Sequence, residues 1–510
     1  MSGHGLIHEA VAAQAEARPD AVALIDGDVR IDYRTLDAAA EAYAVDLVRL
    51  GVRPGDLVPV LLPRSARFAA AVLAVLKCGA GYAALDRRWP PDRIRGAVHT
   101  LNAPVALTNG PINAGLGVPE WTPLQSVLDE ARAGAAPGSR ERVRVPVRDD
   151  AVAMVFFTSG TTGEPKGVLS PHRATTRLLR QGTFADFGPG RVMPLAAPVP
   201  WDAFSMELWG SLATGGTGVV VREDMLFPDD LRDLVADAGV DTMWLTASLF
   251  NLFVEEDPDC FTGMRQVLTG GERLSPPHVR EFLATHPGIT LTNGYGPVES
   301  CVFVTTRAVR PEDCDLPGGV PIGVPVPGTG IRLLRDDEPV LDGTSGEICV
   351  SGEGLAAGYL ARPEATAAAF VTVDVDGVPE RLYRTGDLGV RDAGGVLHFL
   401  GRADRQIKIF GHRVEPAEIE SAAARVPGVR AARVVPVPGA DGAYERLALF
   451  CTAPGDGPRP DPEIVRKTLA QALPHYMVPA SVRLVDAFPT TANGKLDQAA
   501  LLAGLAATGR

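Results

Sequence analysis

The sequence has 510 residues, of which 46% are hydrophobic and 22% charged, a composition typical of a globular protein. Single hydrophobic cores stop growing near ~250–300 residues, so we expect more than one domain. The formal net charge of −13 does not provide the positive electrostatic potential that attracts nucleic acid. The longest apolar run, residues 68–76, is about half of what spans a bilayer.

Six cysteines are scattered along the chain without C-x-x-C spacing, at Cys78, Cys260, Cys301, Cys314, Cys349 and Cys451. Such spacing argues against zinc and favours reduced, packed thiols. The first residues, "MSGHGLIHEA", lack the basic and apolar segments of a secretory signal. We therefore expect a cytoplasmic protein that does not enter the membrane.

The first three hundred residues alternate between two kinds of periodicity. Residues 8–17 and 36–50 have helical spacing of apolar positions. Short β-rich runs follow at 57–62, 152–157, 217–221, 241–245 and 265–270. This alternation predicts an α/β fold with layered, largely parallel sheets.

The residue pattern of the sequence changes twice toward the C-terminus. From about residue 315, short glycine-punctuated strands such as 330–334 and 346–352 predict a β-rich subdomain. After "GRADRQIKIFG" (401–411) we expect a compact α+β unit with helices at 415–426 and 462–472, and strands at 430–437, 446–453 and 481–485. We place a boundary at Asp404, which gives domains 1–403 and 404–510.

One loop has the composition of a phosphate-binding site. "FFTSGTTGEPKG" (156–167) follows a buried strand and combines glycines and hydroxyl residues with one lysine. Backbone N–H groups and hydroxyls of such a loop can converge on phosphate oxygens. It is not a Walker A loop, because G-x-x-x-x-G-K-[ST] is absent. From composition alone, an ordinary polar turn remains an equal alternative.

Further motifs accompany this loop in a fixed order along almost the whole chain. They are "NGYGPVES" (293–300), "GEICVSGEGLAAGYL" (346–360), "YRTGDLG" (383–389), "GRADRQIKIFGHRVEPAEIE" (401–420), "LPHYMVP" (473–479) and "NGKLD" (493–497). Together they resemble the adenylate-forming superfamily, which includes acyl-CoA synthetases, firefly luciferase and adenylation domains of nonribosomal peptide synthetases. The resemblance implies a large N-terminal domain of layered α/β subdomains with a β-rich subdomain, and a small mobile C-terminal α+β domain.

The resemblance also implies a two-step reaction that consumes ATP with Mg²⁺. A carboxylate is a poor electrophile, so the family joins it to AMP with release of pyrophosphate, and a thiol then attacks the acyl-adenylate. Phosphoryl chemistry of this kind requires positioning and neutralisation of negative charge.

The resemblance implies roles in binding ATP for particular residues. The phosphates would contact Thr158, Ser159, Gly160, Thr161, Thr162, Gly163 and Lys166. The adenine would lie among Gly271, Asn293, Gly294, Tyr295 and Gly296, and the ribose against Asp387, Phe399 and Arg402. Mg²⁺ would bind Glu299, with the Thr158 hydroxyl nearby, since hard oxygen ligands suit that ion. The alternative for Glu299 is an ordinary surface carboxylate.

Two residues of the small domain have implied mechanical roles. Lys495 in "NGKLD" would enter the site to bridge the substrate carboxylate and the α-phosphate, whereas most lysines so near a terminus are solvated charges. Asp404 would be the hinge about which the small domain rotates before thiolation. With Thr158 and Glu299, Lys495 completes the implied catalytic set.

A further segment, "PVPWDAFSMELWGSL" (198–212), bears on the acid that is activated. Its Asp202 matches the aspartate with which peptide-synthetase adenylation domains bind the substrate ammonium; the alternative is a helix N-cap. The implied pocket is formed by Trp201, Asp202, Ala203, Met206, Leu245, Leu268, Gly270, Gly294, Val302 and Phe303. Apart from its two end charges, Asp202 and Lys495, this lining is apolar, with two glycines that leave room and no large indole. Trp201 would lie at the junction of substrate and pantetheine. We therefore expect a hydrophobic amino acid, branched aliphatic or aromatic, with a β-amino acid still possible.

Three functions remain open from the sequence. The first is a freestanding ligase that loads a phosphopantetheinylated carrier protein in trans, with or without a small activator protein, for nonribosomal peptide or hybrid polyketide assembly. The expectation of an acceptor in trans comes from the sequence ending at "LLAGLAATGR" without a carrier domain. The second is an acyl- or aryl-CoA ligase using free CoA, which Asp202 disfavours. The third is a non-enzymatic adenylate-binding protein, which intact Thr158, Glu299, Asp387 and Lys495 disfavour.

Overall fold

The computed structural model of the protein describes residues 5–110, 112, 114–134, 142–159, 165–180, 184–375, 377–439, 444–453, 459–489 and 496–507. By its internal contacts the chain divides into two compact units. The first consists of Met1–Arg87, Arg95–Phe157 and Gly167–Ala403, and the second of Arg88–Ile94, Thr158–Lys166 and Asp404–Arg510. The two short segments that group with the second unit were not anticipated from the sequence.

The helices before residue 404 are α1 (Ile7–Ala17), α2 (Tyr33–Arg49), α3 (Ala66–Lys77), α4 (Pro91–Leu101), α5 (Gln125–Arg132), α6 (His172–Thr176), α7 (Asp202–Leu212), α8 (Pro228–Ala238), α9 (Ala247–Glu256), α10 (Pro276–Thr285) and α11 (Pro363–Ala369). Short 3₁₀ turns are found at Arg177–Leu179, Pro258–Phe261, Val298–Ser300 and Pro311–Asp315.

The strands before residue 404 are β1 (Val22–Asp26), β2 (Val29–Asp32), β3 (Leu57–Leu61), β4 (Gly81–Ala84), β5 (Ala106–Thr108), β6 (Glu120–Trp121), β7 (Val152–Thr158), β8 (Lys166–Pro171), β9 (Val192–Leu195), β10 (Thr217–Val220), β11 (Thr242–Thr246), β12 (Gln266–Gly270), β13 (Thr290–Tyr295), β14 (Thr305–Ala308), β15 (Val324–Pro325), β16 (Thr329–Arg335), β17 (Glu338–Pro339), β18 (Gly346–Gly352), β19 (Phe370–Val375), β20 (Val378–Arg391) and β21 (Leu397–Arg402).

Three sheets form the α/β part of the first unit. Their strand orders are β2-β1-β10-β9, β6-β5-β3-β4-β7-β8 and β11-β12-β13-β14-β15. The pairs β1–β10, β3–β4, β4–β7, β11–β12 and β12–β13 are parallel. The predicted α/β class with largely parallel sheets is therefore confirmed.

Local chemistry explains where several helices begin. The side chain of Asp32 accepts the backbone N–H of Thr35 at the start of α2, and Ser65 accepts that of Phe68 at the start of α3. The apolar run 68–76 lies within α3, which is buried along its length. The run that is too short for a bilayer is thus a core helix.

The predicted β-rich region is an antiparallel sheet with the strand order β17-β16-β18-β20-β19, in which β21 also pairs with β20. The register of the β20–β21 pair sets Asp387 opposite Arg402. This pairing brings together two side chains that the sequence assigned to one sugar site.

The second unit has the predicted order of elements after residue 404. Its elements are β22 (Ile407–Ile409), β23 (His412–Val414), α12 (Pro416–Ala424), β24 (Ala431–Pro438), β25 (Tyr444–Thr452), α13 (Pro462–Ala472), the 3₁₀ turn His475–Met477, β26 (Ser481–Leu484) and α14 (Gln498–Ala507). One sheet has the order β24-β25-β26, and β22 pairs with β23 in a hairpin. Residues of α12, α13 and the three-stranded sheet share one hydrophobic core.

All six cysteines are described, and each is free and buried. Burial raises the pKa of the Cys78 and Cys349 thiols to about 12, so they are protonated and inert near neutral pH. Within the described ranges, no helix is both long enough and apolar enough to cross a membrane.

Candidate functional site

Asp202 is the first residue of α7 and is not its cap. Trp201 holds the N-cap position, and no described side chain caps the helix. The Asp202 Oδ2 atom instead accepts the backbone N–H of Val302 at 2.8 Å. Burial raises the pKa of Asp202 to about 6, although hydrogen bonds from the backbone N–H groups of Val302 and Ala203 lower it in part. Among the described residues, no cationic side chain forms an ion pair with this carboxylate.

The residues after Glu299 form a turn with unusual backbone angles. Cys301 and Val302 have φ values of 53° and 59°, in the left-handed region. That region is rare for β-branched side chains, and each such residue costs on the order of 1–3 kcal/mol. The chain then returns to β13, where the Val304 N–H donates to the Tyr295 carbonyl at 2.8 Å. Strained backbone of this kind is concentrated at functional sites.

Glu299, the predicted magnesium ligand, is fully buried and therefore not a surface carboxylate. Its Oε1 atom accepts the hydroxyl of Tyr359 at 2.8 Å. Its backbone carbonyl accepts the N–H of Ala356 at 2.8 Å. Both contacts come from "GEGLAAGYL", so this motif positions the glutamate of "YGPVES". That role of Tyr359 was not predicted from the sequence.

The residues predicted for the nucleoside form a connected group in the first unit. The Tyr295 hydroxyl donates to Asp387 Oδ2 at 2.6 Å, and the Arg402 guanidinium forms an ion pair with Asp387 Oδ1. Burial and the Asp387 carboxylate hold the pKa of the Tyr295 phenol well above its usual value. Asn293 is buried, and its Nδ2 atom donates to the Pro321 carbonyl at 2.8 Å. The structure thus brings Asp387, Arg402 and Tyr295 together.

Two further predicted positions flank this group. Gly271 follows β12 with a φ of 83°, which favours glycine. The Phe399 ring lies 6.3 Å from the Tyr295 ring, and the Arg273 guanidinium lies 5.7 Å from the Phe399 ring. Phe399 thus packs beside the tyrosine, as its apolar ring permits.

Of the residues predicted to contact the phosphates, Thr158, Ser159 and Lys166 are described, and all three group with the second unit. The Thr158 hydroxyl oxygen is buried without a hydrogen-bond partner among the residues that the structure describes. The Ser159 hydroxyl donates to the Arg413 carbonyl at 2.8 Å and accepts the Glu415 N–H at 3.2 Å. Lys166 begins β8 and is half-buried.

Several predicted residues lie outside the described residues or stand apart from the groups above. Gly160, Thr161, Thr162, Gly163 and Lys495 lie outside the described residues. Asp404, the predicted hinge, is exposed at the first position of the second unit's main segment, and its side chain accepts the Gln406 N–H at 3.1 Å.

Most residues predicted for the substrate pocket belong to one buried cluster. Its members include Ala203, Met206, Leu268, Val302 and Phe303, with Trp201 packed against it. Gly296 lies beside this cluster, because a Cβ there would contact the Val302 carbonyl.

Leu245, which was predicted for the pocket, does not belong to this cluster. It packs into a different cluster with Val267 and Phe250. In the β11–β12 register Trp244 pairs with Leu268, and the side chains of adjacent residues in a strand point to opposite faces. Trp244 therefore lies on the same face of the sheet as Leu268, and Leu245 lies on the other face.

Trp244 also changes the character of the pocket. Its ring packs edge-on against Trp201 with centroids 6.3 Å apart. A second indole beside Trp201 was not expected from the sequence. The Trp244 Nε1–H group is buried without an acceptor among the described residues, which leaves a donor available.

The two pocket glycines do not leave free space, contrary to the prediction. A Cβ at Gly294 would overlap the Phe303 ring. A Cβ at Gly270 would overlap the carbonyl oxygen of Gly294, its partner across β12–β13. The glycines therefore permit close packing, and a side chain at Gly270 would displace backbone.

Comparison with known proteins places these observations in a family context. The family model described as AMP-binding enzyme matches residues 11–360, and the model of the AMP-binding enzyme C-terminal domain matches residues 418–495. The chain is 37% identical to the phosphinothricin tripeptide synthetase PhsC of Streptomyces viridochromogenes, covering 99% of this chain and 46% of that protein. It is 35% identical to malpibaldin synthetase of Mortierella alpina, covering 97% of this chain and 9% of that protein. The chain thus spans less than half the length of these relatives.

Solved structures give the same result for the fold. The structure of holo-PA1221, an NRPS protein containing adenylation and PCP domains bound to a vinylsulfonamide inhibitor, superimposes with a TM-score of 0.87 at 34% identity. That similarity covers 98% of this chain and 84% of the other. The crystal structure of IdnL1 superimposes with a TM-score of 0.80 at 30% identity, covering 95% of this chain and 99% of the other.

Proposed function

Because the chain belongs to the family of AMP-binding enzymes, whose model matches residues 11–360, we propose that it activates an amino acid with ATP. In this proposal it is a ligase that forms an aminoacyl-AMP and then a thioester, as part of nonribosomal peptide or hybrid polyketide assembly. The similarity to the adenylation–PCP protein supports this class.

In the first step, an oxygen of the substrate carboxylate attacks the α-phosphorus of ATP. The bond from that phosphorus to the β-phosphate oxygen breaks, and pyrophosphate leaves. In this proposal Asp387 and Arg402 hold the ribose, Tyr295 and Asn293 bound the adenine, and Lys495 bridges the reacting carboxylate and phosphate. Preorganised charges around the reacting oxygens stabilise the transition state.

Mg²⁺ would neutralise charge on the phosphates. Glu299 and Thr158 would hold it, and their chemistry fits a hard cation. One is a buried carboxylate, and the other has a buried hydroxyl oxygen with no hydrogen-bond partner in the described part of the chain.

The observation that carries the proposal of an amino acid is the Asp202 carboxylate. It is half-buried, its pKa is raised to about 6, and it has no cationic partner among the described residues. A desolvated carboxylate is costly without an opposite charge, and a substrate ammonium supplies that charge. A fatty acid or aryl acid without an amine would leave it unpaired.

The pocket supports a branched aliphatic side chain rather than an aromatic one. Trp244 adds an indole, and the space beside Gly294 and Gly270 is already filled by Phe303 and by backbone. We therefore propose an amino acid of about the size of valine or leucine, with its amine on the α- or β-carbon.

The acceptor in this proposal is the phosphopantetheine thiol of a carrier protein supplied in trans. The thiolate attacks the acyl carbon, a carbon–sulfur bond forms, and AMP leaves with the bonding electrons. Tests of this step therefore include a separately purified holo-carrier protein and, in parallel, free CoA.

Pyrophosphate exchange across a panel of acids tests the proposal. Labelled pyrophosphate should enter ATP best with valine or leucine, and poorly with phenylalanine, aspartate, lysine or the deaminated analogue isovalerate. Threonine is the matched comparison for valine, because it has the same shape and tests whether the Trp244 N–H binds a hydroxyl. An unpaired buried polar group costs ~1–3 kcal/mol, so discrimination of ~5- to 150-fold is expected without such a bond.

Two outcomes would contradict the proposal. Exchange driven equally well by isovalerate and valine would indicate an acyl-CoA ligase that does not use Asp202 for an amine. An absence of exchange with every acid, in protein that still binds ATP, would favour a non-enzymatic adenylate-binding role.

A further inference from the structure

Arg177 is a charged residue with no role in the proposed reaction so far. It begins the 3₁₀ turn Arg177–Leu179, and its side chain is completely buried. Burial lowers the pKa of its guanidinium to about 10, so the group still carries its charge near neutral pH. No carboxylate among the described residues forms an ion pair with it. Buried charge without a counter-ion requires hydrogen bonds that justify its cost.

Those hydrogen bonds go to the strained turn. The Nη2 atom of Arg177 donates to the carbonyls of Ser300, of Cys301 at 3.2 Å and of Phe303 at 2.9 Å. The Nη1 atom donates to the Thr329 hydroxyl at 3.1 Å. Three carbonyl oxygens within four residues thus point at one guanidinium.

This convergence depends on the left-handed backbone of Cys301 and Val302. A strained conformation persists only where its surroundings determine it. The guanidinium supplies that constraint, because it offsets the mutual repulsion of the carbonyl dipoles that face it. Gly354 provides the space, since a Cβ there would overlap the Arg177 Nε and Cζ atoms.

We propose that Arg177 is a positioning residue that sets the shape of the amino-acid pocket through the turn 300–303. The turn directs the Val302 N–H at Asp202 and supplies Val302 and Phe303 to the pocket cluster. The inference rests on the proposed function, because it assigns Arg177 to amino-acid recognition.

The side-chain hydrogen bonds of Asn293, Tyr295, Asp387 and Arg402 do not involve this arginine. The side chains of Tyr295 and Arg402 bond to Asp387, and that of Asn293 to Pro321. Loosening the turn should therefore change kcat/KM for the amino acid much more than the KM for ATP.

Three variants alter the guanidinium contacts in increasing degree. Thr329→Val removes one acceptor, Gly354→Ala displaces the guanidinium without changing its charge, and Arg177→Lys keeps the charge but loses the planar fork. Arg191→Lys is the matched control, because Arg191 is also largely buried but bonds to the carboxylate of Asp241 at 2.6 Å.

The measurement is pyrophosphate exchange with the best and second-best hydrophobic amino acids, at varied amino acid and varied ATP. Arg177→Lys should lower kcat/KM for the best amino acid by about 10²-fold, because a displacement of about 1 Å at the substrate has effects of this size. The ratio between the two amino acids should fall toward one, in the order Thr329→Val, Gly354→Ala, Arg177→Lys. The control should keep the wild-type ratio.

A purely structural role predicts a different result. Partial unfolding lowers kcat by one factor for every amino acid and leaves KM values and the ratio unchanged, and that outcome would overturn the inference. If Arg177→Lys does not fold, the same comparison of the ratio between the two amino acids is made with Thr329→Val and Gly354→Ala. If the wild-type enzyme catalyses exchange with no amino acid, both the proposed function and the inference are refuted. If the wild type is selective but the variants keep its ratio, only the inference is refuted. The two failures are therefore distinguishable.

Discussion

Asp202 binds its proton more tightly in the folded chain than an ordinary aspartate does, because its pKa is raised from 3.8 to about 6. Ionisation between pH 4 and 6 therefore lowers the free energy of unfolding, since in that window the folded chain binds more protons than the unfolded one. The cost should be on the order of 1–3 kcal/mol. The Asp202→Asn variant should not show this loss of stability, because asparagine does not ionise.

Urea unfolding of both proteins at pH 4.5 and pH 7 measures this effect. Without substrate, the stability of Asp202→Asn relative to wild type should increase from the lower to the higher pH. A difference that is the same at both pH values would mean that Asp202 titrates like an exposed aspartate. In exchange assays the variant should lose about 10²-fold in kcat/KM for the amino acid, because one partner of a buried pair is removed.

The assignment of Trp244 to the pocket can be tested against its neighbour in the same strand. Trp244→Leu should widen the cavity and raise exchange with phenylalanine relative to valine. Leu245→Ala, on the opposite face, should lower stability by ~2–5 kcal/mol, as expected for a core leucine, yet keep the wild-type amino-acid ranking. The reverse pattern would restore Leu245 to the pocket.

At the scale of elements, β11 explains why Trp244 was not predicted from the sequence. All five residues from Thr242 to Thr246 are buried, so the strand has no alternation of polar and apolar positions to show which face a side chain takes. A shift of one residue exchanges the two faces. The order of strands and helices was predictable, since it depends on periodicity over longer segments.

The turn after Glu299 was unpredictable for a related reason. The motif "YGPVES" pointed to Glu299, but left-handed angles at a cysteine and a valine contradict the local preference of both residue types. The arginine that stabilises the turn is more than a hundred residues away in sequence. Long-range contacts of this kind leave no local pattern.

The segment that joins β21 to β22 contains Asp404, which we propose as a hinge. Asp404→Pro should leave pyrophosphate exchange near the wild-type rate and reduce thioester formation on a carrier protein, because proline fixes φ and opposes rotation of the backbone. Asp404→Ala is the control, since it removes the side chain but leaves φ free. Equal losses in both half-reactions would indicate misfolding instead.

At the scale of the whole molecule, the proposed reaction joins residues that are distant in the chain. Lys495→Ala should lower adenylate formation by ~10²–10³-fold, as expected when one preorganised charge is lost. ATP binding and the unfolding temperature should remain close to wild type. Thioester formation from chemically synthesised aminoacyl-adenylate should suffer much less.

A matched lysine provides the comparison for that experiment. Lys467 belongs to α13 and is largely exposed, so Lys467→Ala should not affect either half-reaction. Pyrophosphate exchange that survives in Lys495→Ala would contradict the assignment of this lysine.

The close approach of Gly270 and Gly294 has a consequence for how substrate preference could be redesigned or could diverge in evolution. A Cβ at Gly270 would collide with a carbonyl of the neighbouring strand, so every substitution there must displace part of the β-sheet. This wall of the cavity therefore cannot be altered in small steps. Met206 of α7 and Trp244 of β11 contribute side chains to the same cluster, and their exchange requires no such movement. A mutant library directed at these two positions should therefore yield folded enzymes with altered amino-acid preference, whereas one directed at Gly270 should yield mostly misfolded chains.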